Sequence, residues 1–109
     1  MKGNMANQFA MIQKMQREME KIQDALDDLT VEGSAGGGMV TAVVNGKQKL
    51  VSIKIDSEVV DPEDTEMLED LIAAAVNQGI EKSKEMAQEQ MQKVAGGMLG
   101  GLKIPGLGL

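Results

Sequence analysis

The sequence predicts an α+β fold in which two long helices flank a small antiparallel sheet. Three observations lead to this prediction. Apolar residues follow a heptad pattern at the start of the chain, they alternate with polar residues in the middle, and an acidic, proline-containing helix start precedes a second helical stripe. Because 109 residues suffice for one small domain, we expect a single domain over residues 1–95 with the element order α-β-β-β-α.

Residues 5–29 have the apolar spacing of a coiled-coil seam. No glycine or proline interrupts them, so we expect one continuous helix. At 1.5 Å per residue this helix is about 37 Å long. Because a compact domain of this size is no wider, part of the helix should project. The seam has two interleaved rows, which are Met5, Ile12, Met19 and Leu26, and Met15, Ile22 and Leu29, with the polar Gln8 in the second row.

The alternating pattern predicts three strands, at residues 30–35, 39–44 and 47–56. Asn45-Gly46 is the strongest short signal for a hairpin with a two-residue type I′ turn, and such a turn places Val40 opposite Val51. The other face of the sheet is only half apolar, so a partner could cover part of it. The face that we expect in the core carries Val40, Ala42, Val44, Val51, Ile53 and Ile55.

The second helix is predicted over residues 62–94. Asp61 is a favourable N-cap, and Pro62 fits the first helical position, where the missing N–H group has no partner to lose. Gly96-Gly97 is expected to end the helix. We expect residues 96–109 to form a flexible, glycine-rich tail.

The apolar stripe of the second helix is dense in its first half. Gly79 lies within this stripe and costs about 1 kcal/mol relative to alanine, so it is a candidate bend. Like the first helix, the predicted second helix is too long for one compact monomer, which suggests a partner chain. The residues of this stripe that we expect in the core or at a dimer interface are Leu68, Leu71 and Ile72.

Composition excludes several kinds of chemistry. The chain has no Cys, no His and one aromatic residue, Phe9, so it lacks thiol nucleophiles, imidazole bases, the usual zinc ligands and an aromatic platform for single-stranded nucleic acid. We therefore expect no enzyme activity, no metal, no cofactor and no small-molecule substrate. The longest apolar run, Leu71 to Val76, is far shorter than the roughly 20 residues that span a bilayer. We expect a cytoplasmic protein without a membrane segment.

Two clusters invite a binding function but have simpler explanations. The glycines of residues 33–38 resemble a phosphate-binding loop, yet they join strand to strand and lack the Lys-Ser/Thr ending, so a bulge or tight turn is favoured. The acids between Asp56 and Asp70 do not have the spacing of a calcium loop. Helix capping and a solvated face explain them better than a metal site or a catalytic carboxylate pair.

The net charge of −6 comes from one segment. Residues 56–76 contain eight acidic side chains and no basic one, and the remainder of the chain is slightly positive. On the first helix, Lys14, Arg17 and Lys21 share the side opposite the seam. This row is either a solvated face with pairs such as Lys14–Glu18 or a binding surface for an anion. Because a polyanion responds to local potential, the acidic total does not exclude DNA.

The sequence closely resembles the YbaB/EbfC nucleoid-associated proteins of bacteria, and the resemblance covers nearly the whole chain. Order and spacing of the segments make it specific, and Gly79 departs from the helix-forming residue expected there. The segments that carry it are the Met-, Gln- and Lys-rich first helix, Val31-Glu32-Gly33, Gly36-Gly37-Gly38-Met39-Val40, Asn45-Gly46-Lys47, Ile53-Lys54-Ile55-Asp56, Glu66 to Ala75, Asn77 and the Gly- and Met-rich tail.

The resemblance implies a homodimer with a central sheet and helical arms that project like tweezers. It also implies a protein that binds duplex DNA, alters its conformation and serves nucleoid organisation, gene regulation and DNA protection. On this basis we expect phosphate contacts from Lys14, Arg17 and Lys21, joined by Lys82 and Lys84 of the second helix. The alternative is a coiled-coil-type module that holds a partner helix and does not bind DNA.

Overall fold

Two long helices flank a three-stranded sheet in the chain order that the sequence predicts. The structure is a computed structural model that describes residues 2–102, with side chains described for residues 5–96. The α+β class and the order α-β-β-β-α are confirmed. The elements are α1 (Lys2–Asp28), β1 (Thr30–Ala35), β2 (Val40–Asn45), β3 (Leu50–Ile55), a 3-10 turn (Ser57–Val59) and α2 (Thr65–Leu102).

The sheet is antiparallel with the order β1-β2-β3, but the predicted β2–β3 register is wrong. Val40 pairs with Ile55, not with Val51, and a bulge follows Val43 so that Val44 pairs with Leu50. The two-residue turn is replaced by a four-residue connection, residues 46–49.

The side chain of Asn45 accounts for the longer connection. Its Oδ1 accepts hydrogen bonds from the backbone N–H groups of Lys47 and Lys49 at 2.9 and 3.1 Å. The backbone N–H of Asn45 donates to the carbonyl of Lys49 at 2.9 Å. Gln48 adopts the left-handed backbone conformation with φ 62°, so Gly46 does not supply the left-handed residue of this connection. An asparagine that organises its own loop therefore overrides the tight-turn signal.

α2 packs across one face of the sheet at a point where both partners are glycine. A Cβ at Gly33 of β1 would lie closer than 3.0 Å to the backbone of Ala75 and of Gly79. Gly79 in turn lies against the Val44 side chain. Because neither residue carries a side chain, strand and helix backbones approach closely here. Gly79 thus serves packing within a continuous α2, and the expected bend is not needed to explain it.

The core lies between this sheet face and the first half of α2. Val40 and Val44 are fully buried, as predicted. Val51 is 56% exposed, so its predicted place in the core of one chain is wrong, because the bulge puts it outside the strand pairing. The other predicted residues are partly buried and pack against the core, namely Ile53, Ile55, Leu68, Leu71 and Ile72.

The ends of α2 differ from the prediction. Residues 61–64 form a turn, in which Asp64 N–H donates to the Asp61 carbonyl, and Asp64 caps the helix by accepting from Met67 N–H at 3.2 Å. The helix therefore begins at Thr65 instead of Pro62.

At its other end, α2 continues through Gly96 and Gly97 to Leu102. Both glycines keep helical backbone, and the left-handed conformation of a glycine cap is not adopted. Residues 96–102 are therefore helical, and the flexibility expected of the tail stays a prediction. Residues 103–109 lie outside the described residues.

The molecule is strongly elongated, with principal extents of 74 × 28 × 16 Å. Its radius of gyration is 20.8 Å, whereas a compact chain of this length has about 13 Å. The expectation that helix projects from the domain is thus confirmed. Within residues 2–102, no helix is both long and apolar enough to cross a bilayer.

Candidate nucleic-acid interface

The distal parts of the two helices pair to form a projection that we call the arm: residues 5–21 of α1 and 87–96 of α2. At the base of the arm, Leu26 of α1 and Ala87 of α2 line the same groove. Farther out, Met15 lies beside Val94. Residues earlier in α1 lie beside residues later in α2, so the two helices run antiparallel.

The seam of α1 is buried only at its base. Ile22 and Leu26 are 8% and 3% exposed, and the backbone N–H of Gly46 donates to the Leu26 carbonyl at 2.8 Å. Farther along the same seam, Ile12 is 53% and Met5 is 75% exposed. The base therefore anchors α1 to the β2–β3 connection, while the distal seam faces solvent.

The predicted basic row lies on the arm. Lys14, Arg17 and Lys21 are all exposed. Lys21 Nζ approaches a carboxylate oxygen of Glu18 at 3.6 Å, so the Lys14–Glu18 pair considered from the sequence is not the one formed. Among the described side chains, no hydrogen bond or ion pair engages Lys14 or Arg17. Two cationic side chains per arm are thus available for an anionic partner without the loss of an internal contact.

The two predicted lysines of α2 lie elsewhere. Lys82 Nζ donates to the backbone carbonyl of Glu32 in β1 at 3.1 Å, and Lys84 Nζ lies 3.8 Å from Glu81. Both precede the arm portion of α2, and Lys82 is held at β1. In the described part of the chain, no hydrogen bond or ion pair links them to the α1 row. The five predicted side chains therefore do not form one patch.

The acidic block of residues 56–76 lies far from the arm, whose own acidic side chains are Glu18, Glu20 and Glu89. The eight acids of residues 56–76 are exposed, and about 30 Å of helix separates Asp70 from Met91. Since screening acts over about 8 Å at physiological ionic strength, they contribute little to the potential at the arm.

Several of these acids have a structural role. Asp56, Asp61 and Asp64 accept hydrogen bonds from backbone N–H groups at the starts of turns or helices. This agrees with capping as their explanation. Within the described residues, no three acidic side chains are grouped so that they could hold a metal ion.

Comparison with known proteins identifies the family. The pattern of the YbaB/EbfC DNA-binding family matches residues 1–98. The chain belongs to the YbaB/EbfC DNA-binding family. It is 56% identical over 102 residues to a nucleoid-associated protein of Syntrophobacter fumaroxidans, with 93% of each chain covered. It is 54% identical to one of Alkaliphilus metalliredigens, covering 95% of this chain and 88% of that protein.

The fold of this YbaB/EbfC protein also matches a solved structure. The crystal structure of the uncharacterized protein HP0035 from Helicobacter pylori superposes with a TM-score of 0.61 at 26% identity. The match covers 83% of this chain and 90% of that one. The resemblance stated from the sequence is thereby confirmed at the level of family and fold.

Sequence reasoning missed the structured connection between β2 and β3. Ser83 of α2 is fully buried, and its hydroxyl donates to the Asn45 carbonyl and accepts from the Gln48 side-chain amide at 3.2 Å. Lys47 of the same connection pairs with Asp27 of α1 at 3.0 Å. The sequence signal for this connection is the absence of acidic residues between positions 36 and 55, which indicates a basic segment. That the connection holds the end of α1 against α2 is visible only in the fold.

Proposed function

We propose that this protein binds duplex DNA as a homodimer and alters the conformation of the DNA. In this proposal it acts at the nucleoid, within the cytoplasm, in nucleoid organisation, gene regulation and DNA protection. The observation that carries the proposal is the row of Lys14, Arg17 and Lys21 on a projecting arm. Its membership of a DNA-binding family and the names of its relatives support DNA as the partner.

Exposed apolar side chains on the edge strand support a dimer. α2 packs on the face that carries Val40 and Val44, but Val51 and Leu50 of β3, at the edge of the sheet, are 56% and 45% exposed. The chain exposes 8124 Å² of surface, while a compact chain of its mass exposes about 5800 Å². A standard interface needs about 800 Å² from each partner. A second copy packed against the exposed side chains of β3 would supply this and would place two arms at a fixed separation.

Two arms would hold DNA through its phosphates. Lysine and arginine side chains on a helix surface neutralise phosphates and set the position of the duplex, but they read little sequence. A clamp at two separated points constrains the path of the duplex between them, which is how the conformation would change. No catalytic group, metal or cofactor is part of this proposal, and the protein is not proposed to be an enzyme.

A salt titration of duplex binding tests the basic row. The variant K14Q/R17Q/K21Q removes three charges per chain, or six per dimer. Since log affinity changes with log salt by about −0.9 for each phosphate neutralised, we expect the slope to become shallower by as much as about 5. Circular dichroism should be unchanged, because glutamine is a good helix former.

The control is K49Q/K54Q, which removes two exposed charges per chain outside the arm and keeps the ion pair of Lys47 with Asp27. We expect its slope to change by less than about 1. If the control and the arm variant lose affinity equally, overall charge and not the arm governs binding. If the arm variant binds as the native protein does, the proposed interface is wrong.

The dimer is tested separately with Val51→Asp. Because Val51 is exposed in one chain, the charge should leave the fold of each chain intact. On the proposed interface it would be buried without a partner, so light scattering should show a monomer at concentrations where the native protein is dimeric. Met67→Asp, at another exposed apolar position, should stay dimeric. A dimeric Val51→Asp variant would place the interface elsewhere.

One observation favours the alternative of a protein-interaction module. Met5, Phe9 and Ile12 expose a continuous apolar face along the arm, as helices that receive a partner helix do. This alternative predicts binding to a protein partner with an affinity that changes little with salt. It also predicts no gel shift of duplex DNA at physiological ionic strength. The titration described above distinguishes the two.

A further inference from the structure

Methionine side chains line the groove between the two helices of the arm. Met15 and Met19 of α1 and Met91 of α2 share an apolar groove of about 270 Å³ with Val94 and Ala95. Beyond the anchored base at Leu26, this groove lies between α1 and α2 in the described part of the arm. Three of its lining residues are methionines.

These methionines are accessible to solvent. Met15 is 48% exposed, Met19 is 37% exposed and Met91 is half-buried. The chain contains no Cys, His, Trp or Tyr, so the thioethers of its ten methionines are its readily oxidised groups. A small oxidant such as hydrogen peroxide can therefore reach the methionine side chains of this groove.

Oxidation would change the chemistry of the groove. Hydrogen peroxide transfers one oxygen atom to Sδ, forming a sulfoxide, and the peroxide is reduced to water while the sulfur loses two electrons. The sulfoxide is a strong hydrogen-bond acceptor, and the groove is lined by apolar groups apart from the Gln92 side chain. Keeping such an acceptor in an apolar contact is unfavourable, whereas exposing it to water is not.

We propose that Met15, Met19 and Met91 are an oxidation site that controls the geometry of the arm. In the reduced state the three thioethers hold α1 against α2. In the sulfoxide state α1 separates from α2 beyond its base at Leu26, and the basic row moves with it. Reduction of the sulfoxides restores the closed arm. The effect on arm geometry is independent of DNA binding.

A distance measurement on the full chain tests the proposal. Because the chain has no cysteine, Gln16→Cys and Lys93→Cys, both at exposed positions, allow specific spin labels on α1 and on α2. Labelled chain is mixed with an excess of unlabelled chain so that distances within one chain dominate the signal. After peroxide treatment, with the gain of one oxygen at each site verified by mass spectrometry, we expect the distance to lengthen by several ångströms. Methionine sulfoxide reductases should reverse the change.

The control replaces the three methionines by leucine, which preserves volume and apolar character. The variant M15L/M19L/M91L still contains exposed methionines at positions 11 and 67, so peroxide still modifies it. Its distance should not change on treatment. The proposal is overturned if the native distance is constant with all three sites oxidised, if these sites resist peroxide that oxidises Met11 and Met67, or if the leucine variant opens equally. None of these outcomes depends on whether the protein binds DNA.

Discussion

The two halves of α2 meet the rest of the molecule in different ways. In the first half, Ala75 and Ser83 are completely buried against the sheet, and Gly79 allows backbone contact with β1. In the arm, which pairs residues 5–21 with residues 87–96, no described side chain is buried. One helix therefore packs against the core in its first half and projects into solvent in its second half.

This difference teaches which part of the chain holds the fold and which part is available for a partner. Burial and close backbone contact give the sheet half a single arrangement, because any change of side-chain volume meets neighbouring atoms. The arm has few such constraints, so its shape depends on a small groove and on helix propensity. Substitutions should consequently divide into large effects on stability in one half and effects on binding in the other.

The largest expected effect is at the glycine contact. Gly33→Ala puts a methyl group into the backbone of α2, which cannot move away as a flexible side chain would. We expect a loss of at least about 3 kcal/mol in the free energy of unfolding, by denaturant titration with far-ultraviolet circular dichroism. Gly79→Ala should cost less, because the nearest atom belongs to the Val44 side chain and alanine favours the helix.

The control for this prediction is the same substitution in the arm. Gly96 has open space around its Cβ direction and lies in the helix, so Gly96→Ala should increase stability by up to about 1 kcal/mol. All variants are compared at one protein concentration, since the stability of a dimer depends on it. Equal effects at positions 33 and 96 would contradict the contrast between the two halves.

A smaller effect is expected along the seam of α1, where two positions share a heptad row. Leu26→Ala should cost about 2–3 kcal/mol, because Leu26 is 3% exposed and its removal leaves a cavity at the base of the arm. Ile12→Ala should change the free energy of unfolding by less than about 0.5 kcal/mol, since Ile12 is 53% exposed. A large loss at Ile12 in the same denaturant titration would show that a partner covers the distal seam.

The contrast between the halves also explains how far sequence reasoning could reach. Heptad and alternating patterns are local, and they predict the elements and their order because burial in both halves follows helical or strand periodicity. They cannot tell Ile12 from Leu26, which have the same place in the heptad. Only the position of the β2–β3 connection, fixed by Gly46 and its contact with Leu26, makes one of them core.

The wrong predictions have the same origin. Asp61-Pro62 suits both a turn and a helix start, and the capping side chain of Asp64 decides between them. Asn45-Gly46 suits a tight turn, but the Asn45 side chain organises a longer loop, which the hydroxyl of Ser83, far along the chain, also holds. For the candidate site, spacing places the basic row on one helix face, whereas the contact of Lys82 with β1 depends on tertiary packing.

The hydroxyl of Ser83 offers the finest test of the contrast, because it joins the sheet half to the connection that anchors α1. Ser83→Ala removes one of two donors to the Asn45 carbonyl, which keeps the Gln48 backbone N–H, and one of two acceptors for each Gln48 amide. Because each group keeps another partner, we expect a loss of about 1 kcal/mol in denaturant titration, the net contribution of a typical hydrogen bond. Ser52→Ala, at an exposed position of β3, should change stability by less than about 0.5 kcal/mol. Hydrogen exchange of Ser83→Ala should also show faster exchange at Gly46, whose amide holds the end of α1. If Gly46 remains as protected as in the native protein, the connection is held by α1 alone and the link between the two halves does not pass through Ser83.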